Sequence, residues 1–86
     1  MQITIYTNQG CIWCTRTKEL MARANQEYTE VKWNELSIDE QLKVKNELGP
    51  EMRAFPVVII DGNYVGGLID TAKLFLKEGL VSSRQI

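Results

Sequence analysis

The sequence predicts an α/β domain in which three helices flank a four-stranded mixed sheet, in the order β-α-β-α-β-β-α. Three observations support this prediction. Residues 3–7 alternate and are rich in β-branched side chains, which is typical of a strand. Residues 57–60 form a continuous apolar run that ends at Asp61-Gly62, a dipeptide favoured in two-residue hairpins. Between and after these segments, apolar residues recur at helical spacing.

The first three elements are predicted to form a strand–helix–strand unit. The first strand covers residues 2–7 and the first helix residues 12–25. Residues 27–33 alternate in polarity and predict a second strand with one wetter face. Such a unit is a right-handed crossover between parallel strands. The helix face expected to lie on the sheet comprises Cys14, Thr17, Leu20, Met21 and Ala24.

A second helix is predicted from its two ends. Ser37 and Glu40 have the Ser-x-x-Glu spacing of a capping box, and Gly49-Pro50 stops the helix. Trp33, just before this helix, is expected in the core. The core residues predicted for the helix itself are Ile38, Leu42, Val44 and Leu48.

The remaining elements are a hairpin and a third helix. Residues 57–60 predict a central strand covered on both faces, and residues 63–66 a short antiparallel return strand. A third helix is predicted over residues 68–78, and residues 81–86 form a loose tail. The apolar stripe predicted for this helix is Leu68, Ala72, Phe75 and Leu76.

Length and composition restrict the function. The 86 residues, 44% of them hydrophobic, predict a single domain over residues 1–86 with one modest core. The net charge is −1 and no basic patch stands out, so nucleic acid is a poor candidate partner. No apolar run is long enough to span a membrane. No export signal is recognised, so we expect the cytoplasm, where a CxxC is more often catalytic than structural.

Cys11 and Cys14 are the only cysteines of the chain, and a predicted turn at residues 8–10 separates them from the first strand. Cys11 is placed near the start of the first helix and Cys14 one turn further in. Residues three apart on a helix are neighbours, so the two sulfur atoms can meet in a disulfide. The free N–H groups and the dipole at a helix start favour a thiolate at Cys11. A nucleophilic thiolate with a second thiol one turn away is what thiol–disulfide exchange requires.

The cysteine pair also has three other interpretations. Structural zinc needs about four ligands, and the chain has two Cys and no His. A structural disulfide across one helical turn closes too short a loop to stabilise much. The third interpretation, that both cysteines are inert buried thiols, remains open, although the strand–turn–helix context favours redox exchange.

Three separated motifs then occur in register along the chain. Tyr6-Thr7 precedes Cys11-Ile12-Trp13-Cys14, Arg53-Ala54-Phe55-Pro56 precedes the apolar strand, and Gly66-Gly67-Leu68-Ile69-Asp70 opens the third helix. Together they resemble the glutaredoxins, a branch of the thioredoxin fold. The corresponding family motifs are Tyr-Thr…Cys-Pro-Tyr-Cys, Arg-Thr-Val-Pro and Gly-Gly-x-x-Asp. The resemblance covers nearly the whole chain.

The resemblance implies a dithiol enzyme in which Cys11 is the attacking thiolate and Cys14 the resolving thiol. It implies a cis peptide bond at Pro56, with the backbone of the preceding residue offered to glutathione. The N–H groups at the start of the third helix would hold the γ-glutamyl carboxylate, and Asp70 would meet its amine. The glutathione-binding residues implied in this way are Trp13, Phe55, Pro56, Gly67, Leu68, Ile69 and Asp70. From the residues alone, Phe55-Pro56 also fits an ordinary strand entry, and Asp70 a charge that complements the helix start.

The resemblance also implies partners. We expect glutathione as co-substrate, no resident metal, a monomer, and disulfide-containing protein substrates such as ribonucleotide reductase. No membrane or nucleic-acid partner is expected.

Departures from the family pattern leave two alternative functions open. Residues 8–10 lack the Lys or Arg that the family often has before its first cysteine, and Ile12 and Trp13 replace Pro and Tyr. We therefore expect weaker binding of glutathione. The first alternative is a redoxin recharged by thioredoxin reductase. The second is a carrier of a [2Fe–2S] cluster, bridged between two protomers by one cysteine and one glutathione from each.

Overall fold

The structure of the protein, a computed structural model, describes residues 1–49 and 55–82 and has the predicted order of elements. The strands are β1 (Ile3–Thr7), β2 (Thr29–Lys32), β3 (Val57–Ile60) and β4 (Asn63–Gly66). The helices are α1 (Ile12–Arg23), α2 (Ile38–Leu48) and α3 (Leu68–Lys77), with a 3-10 turn at Trp33–Glu35. Outside the described residues lie Pro50, Arg53, Ala54 and the last four residues of the predicted tail.

The four strands form one mixed sheet in the order β2-β1-β3-β4. As predicted, β1 and β2 are parallel, and Thr7 at the end of β1 lies opposite Lys32. Also as predicted, β3 and β4 form an antiparallel hairpin, and both turn residues, Asp61 and Gly62, have the positive φ that such hairpins require. Because β3 runs antiparallel to β1, its first residue, Val57, pairs with Tyr6. The carboxyl end of β1 therefore has the end of β2 on one side and the start of β3 on the other.

The core lies between the sheet and helices α1 and α3. Ile5, Met21 and Phe75 are fully buried in one cluster that joins the three elements. The face predicted for the first helix is buried as expected, and so are Val57 and Val58 of the central strand. The start of β1 is fixed by Asp61, whose carboxylate accepts a hydrogen bond of 2.8 Å from the backbone N–H of Gln2. Among the described residues, no helix is long and apolar enough to cross a membrane.

The prediction for the core face of α2 was wrong. Ile38 and Leu42 are 76% and 52% exposed, and no residue of α2 is buried. The helix contacts the 3-10 turn through a different stripe, in which Gln41 Nε2 donates to the carbonyl of Trp33 at 2.9 Å and Lys45 Nζ lies 5.9 Å from the indole centroid. Val44 and Leu48 lie three and seven residues after Gln41 and therefore belong to the same stripe. Both are half-buried, as predicted from the sequence.

Three smaller corrections concern α3, α1 and the end of the second strand. Leu76, predicted in the stripe of α3, is 39% exposed, and the buried Thr71 takes the inward position one turn before Phe75. Thr71 is polar, but its hydroxyl donates to the carbonyl of Gly67 at 2.8 Å, so it packs without an unsatisfied group. The predicted α1 was two residues too long, and Trp33 belongs to the 3-10 turn instead of the second strand, although it is buried as expected.

Candidate active site

Cys11 and Cys14 lie at the start of α1, just beyond the carboxyl end of β1. Cys11 is the N-cap residue with an extended backbone, and its Sγ accepts a hydrogen bond of 3.1 Å from the N–H of Cys14. Cys14 lies one turn inside the helix and is only 3% exposed, whereas Cys11 is half-buried. The two residues form a disulfide, and their Cα atoms are 5.3 Å apart. Of the two cysteines, Cys11 is therefore the more accessible to a partner at the helix start.

The turn before Cys11 sets this position. Gly10 has a φ of 72°, a left-handed conformation that favours glycine and lets the chain leave β1 and enter the helix immediately. Asn8 Oδ1 accepts a hydrogen bond from the N–H of Gln9 at 2.9 Å, which stabilises the turn locally. Inside the helix, the hydroxyl of the buried Thr17 donates to the carbonyl of Trp13 at 2.8 Å. The cysteines are therefore presented by a short turn and a well-anchored first helical turn.

The two residues between the cysteines form an apolar surface beside the disulfide. Ile12 is exposed, and so is Trp13, at 54%. The guanidinium of Arg16 lies 5.6 Å from the centroid of the Trp13 ring, a cation–π distance that holds the indole on the surface of α1. Trp13 is thus available to contact a molecule bound at Cys11, in agreement with its predicted place beside the site.

Pro56 precedes β3 on one side of the cysteines, and the Phe55–Pro56 peptide bond is cis, as predicted. The side chains that contact this segment were not predicted from the sequence. The ring of Phe55 lies 5.5 Å from that of Trp33, which meets Tyr6 edge-on at 6.2 Å. Burial, with a contribution from the negative charge of Glu47, raises the pKa of Tyr6, so the phenol stays neutral at physiological pH. This aromatic cluster links the residue before Pro56 to β1.

The Gly-Gly motif lies directly against Pro56. A methyl group built on Gly67 would come 3.5 Å from the carbonyl oxygen of Pro56, so the second and third sequence motifs are neighbours in space. Gly66 has a φ of 132°, and a methyl group there would lie 2.9 Å from Cβ of Asp70 and would overlap its carboxylate. Glycine at this position therefore lets the Asp70 side chain fold back over the start of α3. No side chain caps α3 at Gly67, which leaves the backbone N–H groups of its first turn available to a ligand.

A second feature, absent from the sequence analysis, is an open cleft on the opposite side of the cysteines, toward β2. We call it the β2-side cleft. Its volume is about 630 Å³. It is lined by Thr7, Asn8, Gln9, Gly10, Cys11, Ile12, Cys14, Thr15, Lys18, Glu30, Lys32, Asn34 and Glu35.

The wall of this cleft contains a linked set of polar groups. Glu30 Oε2 accepts hydrogen bonds from the hydroxyl of Thr7 at 2.8 Å and from Nζ of Lys18 at 3.2 Å. The Thr7 hydrogen bond, followed by the hydrogen bond and charge of Lys18 and the charge of Lys32, lowers the pKa of Glu30. Glu30 lies in the parallel strand next to β1, opposite Ile5. A Lys on the first helix and a Glu in the second strand were visible in the sequence, but only the register shows that they meet.

The structure thus places the predicted site residues around the end of β1. The cysteines are at the helix start, and Pro56 and the Gly67–Asp70 segment lie together on the β3 side. Among residues 1–49 and 55–82, no group of three or more Cys, His, Asp or Glu side chains could hold a metal ion. Arg53 and Ala54 of the second motif fall outside these ranges.

Comparison with known proteins agrees with this arrangement. The protein-family model described as Glutaredoxin matches residues 3–65. Glutaredoxin 1 of Rickettsia prowazekii strain Madrid E is 34% identical over 77 residues, an alignment that covers 90% of this chain and 79% of the relative.

Solved structures share the fold of this chain. The buckwheat glutaredoxin–glutathione complex superposes with a TM-score of 0.73 at 19% identity, covering 91% of this chain and 70% of that one. The glutaredoxin-like protein NrdH-redoxin from Escherichia coli superposes with a TM-score of 0.68 at 26% identity, covering 88% and 95%. Because the family match over residues 3–65 includes both cysteines, the cis-proline and all but the last residue of the hairpin, the chain belongs to the glutaredoxin family.

Proposed function

We propose that this protein reduces disulfides by dithiol exchange, with Cys11 as the nucleophile, Cys14 as the resolving thiol and glutathione as the reductant. The general activity follows from the family: the chain is a thiol–disulfide oxidoreductase of glutaredoxin type with a redox CxxC pair. The observation that most supports the division of roles is the contrast between Cys11, accessible at the N-cap, and Cys14, buried one turn inside.

The reaction balances as two exchanges. The Cys11 thiolate attacks one sulfur atom of the substrate disulfide, a Cys11–substrate bond forms, and the other substrate sulfur leaves as a thiolate. Cys14 then loses its proton and attacks Cys11 Sγ, which releases the second substrate thiolate and forms the Cys11–Cys14 disulfide. Two electrons pass from the dithiol to the substrate. Two glutathione molecules, oxidised to glutathione disulfide, would restore the dithiol.

The β3 side of the cysteines provides groups suited to glutathione. The free N–H groups at the start of α3 suit a carboxylate, and Asp70 is an exposed anion in that same first turn, suited to an amine. Both belong to the γ-glutamyl end of glutathione. Pro56 and Gly67 adjoin this surface, and Phe55 precedes it. The family often has a basic residue before its first cysteine, which pairs with the carboxylate at the glycine end of glutathione. Residues 8–10 of this chain are uncharged, so we expect it to bind glutathione more weakly than relatives with that basic residue.

Two single-cysteine variants test the proposed roles. Cys11→Ser should abolish reduction of every disulfide because the nucleophile is lost. Cys14→Ser should retain reduction of glutathione mixed disulfides, in which a second glutathione can resolve the intermediate, and lose most reduction of protein disulfides. Initial rates would be followed by NADPH consumption with glutathione and glutathione reductase. An active Cys11→Ser variant would contradict the proposal.

A second candidate is a redoxin recharged by thioredoxin reductase. It is favoured by the exposed apolar side chains Ile12 and Trp13 next to the disulfide and by the lack of a basic residue at positions 8–10. The E. coli relative with 26% identity is described as having a thioredoxin-like activity profile. Measuring recharging by glutathione plus its reductase against recharging by thioredoxin reductase, at equal protein concentration, separates the two reductants. In both cases the targets are protein disulfides, for example in ribonucleotide reductase.

A further inference from the structure

We propose that the ion pair between Lys18 and Glu30, in the wall of the β2-side cleft, controls how readily Cys14 becomes a thiolate and so sets the rate of the resolving step. The charge of Lys18 favours the thiolate and the charge of Glu30 opposes it. Both are positioning residues, because they act through their charges on the thiol of Cys14. This inference rests on the proposed function, since it concerns the exchange in which Cys14 attacks Cys11 Sγ.

The resolving step requires a thiolate at a position that does not favour one. Cys14 is only 3% exposed, and burial disfavours the charged form of a thiol. The stabilising field at the start of a helix falls off within the first turn, and Cys14 lies one turn inside α1. A positive charge nearby is a further means by which a protein stabilises a thiolate.

The geometry of α1 places Lys18 beside Cys14. The two residues are four apart, so they lie on the same face of the helix with their Cβ atoms about 5–6 Å apart. Long side chains on a helix point back toward its N-terminus, over the residue three or four positions earlier. The Lys18 side chain therefore extends from its own turn toward the turn that holds Cys14. Both residues line the β2-side cleft.

Glu30 holds the Lys18 ammonium in this place. Its Oε2 accepts hydrogen bonds from Lys18 Nζ at 3.2 Å and from the hydroxyl of Thr7 at 2.8 Å. Thr7 is buried and is the last residue of β1, so the pair is attached to the strand that leads into the cysteine turn. The side chains of Lys18 and Glu30 are only 33% and 25% exposed, and salt screens such charges less than fully exposed ones.

The carboxylate of the pair stays charged over the pH range in which a thiol ionises. The hydrogen bond from Thr7, followed by the hydrogen bond and charge of Lys18, lowers the pKa of Glu30. Glu30 is therefore ionised at neutral pH and above. A change in the reactivity of Cys14 across this range then reports on the thiol and not on the carboxylate.

Other charged groups surround the cysteines at more exposed positions. Lys32 and Glu35, also in the lining of the cleft, are exposed and opposite in sign. Arg16 lies over the Trp13 ring, and Asp70 is exposed in the first turn of α3. Because exposed charges are screened by water and ions, the half-buried pair is the stronger influence on Cys14 within the part of the chain that the structure describes.

The two phases of one reaction separate the two thiols. Reduced protein is mixed with excess 4,4′-dithiodipyridine, which releases one thiopyridone when Cys11 attacks it. A second thiopyridone leaves when Cys14 attacks Cys11 Sγ and closes the disulfide. The first phase depends on the reagent concentration, whereas the second is intramolecular and does not. The rate of the second phase is recorded across the pH range in which thiols ionise, and the midpoint of this profile reports the ionisation of Cys14.

The two members of the pair should shift this midpoint in opposite directions. Lys18→Met should raise it by about 0.2–0.7 pH unit, because the carboxylate is left without its cation. Glu30→Gln keeps a hydrogen-bond acceptor, removes the negative charge and should lower the midpoint by a similar amount. The double variant restores the charge balance and should return close to the wild-type midpoint. A purely structural role would instead make both single changes act in the same direction.

Two controls isolate the charge of Lys18. Lys18→Arg retains the charge and should keep the wild-type midpoint, and Lys43→Met removes a charge at an exposed position of α2 and should change neither phase. An unchanged midpoint in Lys18→Met, or a shift in the same direction in both single variants, would overturn the proposal. Absence of a concentration-independent second phase in the wild-type protein would instead refute the resolving role of Cys14 and, with it, the proposed function.

Discussion

The difference in reactivity between the two thiols follows from their positions in α1 and can be estimated. The N–H of Cys14 donates to Cys11 Sγ in the disulfide form, and we expect this contact and the helix start to stabilise a thiolate at Cys11 in the reduced protein. A free thiol is only a few per cent ionised at pH 7, so full ionisation raises the thiolate fraction by roughly 30-fold. The lower intrinsic nucleophilicity of a more acidic thiol removes part of this gain and leaves a factor of several.

Burial adds to this factor. Cys14 is 3% exposed, and an alkylating reagent reaches it only when the first turn of α1 opens. Each 1.4 kcal/mol needed for opening slows the reaction tenfold. We therefore expect Cys11 to react with iodoacetamide at pH 7 at least ~10 times faster than Cys14, from the combined effects of ionisation and access.

The assay uses one thiol at a time. Cys11 is measured in the Cys14→Ser variant and Cys14 in the Cys11→Ser variant, with the alkylated fraction followed by mass spectrometry. The backbone N–H that donates to Cys11 is retained when Cys14 is replaced, so the first variant preserves the contact under test. In concentrated urea the two rates should converge, which shows that the folded structure causes the difference. Equal rates in the folded protein, or a faster Cys14, would refute the assignment of the nucleophile.

Three further predictions concern glutathione, packing and pH. Asn8→Lys should lower the KM for glutathione and Asp70→Ala should raise it, each by up to about fivefold, because an exposed ion pair contributes about 1 kcal/mol at most. If neither variant changed the KM in the assay with glutathione reductase, the proposed glutathione site would be contradicted. Phe75→Ala should lower the free energy of unfolding in urea by about 3–5 kcal/mol because the ring is fully buried, whereas the matched Leu76→Ala should cost less because that side chain is 39% exposed. Glu30→Gln should lower stability by about 1 kcal/mol at pH 7. Because the folded-state pKa of Glu30 lies below its ordinary value of 4.5, that difference should close as the pH falls below 4.5, and a constant difference down to pH 3 would be inconsistent with this origin.

The elements of the central sheet were predictable because their signals are local and strong. The alternation of β1, the apolar run of β3 and the Asp61-Gly62 turn each specify a strand or a hairpin without reference to the rest of the chain. The cysteines were placed correctly for the same reason, since a strand, a turn with Gly10 and a helical segment follow one another directly. What these patterns cannot give is the set of contacts between elements distant in the sequence.

The error in α2 shows how periodicity alone can mislead. Ile38 and Leu42 have helical spacing and are apolar, so they looked like a core face. The helix instead turns Gln41 and Lys45 toward Trp33, because a carboxamide satisfies the Trp33 carbonyl and an ammonium lies favourably near the indole ring. An apolar residue can remain exposed at modest cost, and a single hydrophobic spacing does not specify which face a partially covered helix presents.

The aromatic cluster was hidden for a related reason. Tyr6, Trp33 and Phe55 are far apart in the sequence, and each alone is consistent with ordinary packing. Their contact depends on the antiparallel pairing of β1 with β3 and on the 3-10 turn that ends the β2 edge. The contact matters for the site because it positions the residue before Pro56.

The two sides of β1 present different groups near Cys11. On the β3 side, Gly67 and the backbone N–H groups at the start of α3 lie next to Pro56. A side chain at position 66 would collide with Asp70, so glycine there lets the Asp70 side chain fold back over the helix start. On the β2 side, a cleft of about 630 Å³ is lined mainly by polar side chains, two of which, Thr7 and Lys18, donate hydrogen bonds to Glu30. The β3 side therefore offers the groups that the proposed binding of a γ-glutamyl end needs, whereas the β2 side offers side-chain hydroxyl, carboxamide and charged groups. Cys11 lines the cleft and lies at the end of the strand that both sides share, so the position of β1 in the middle of the sheet decides which groups surround its sulfur atom.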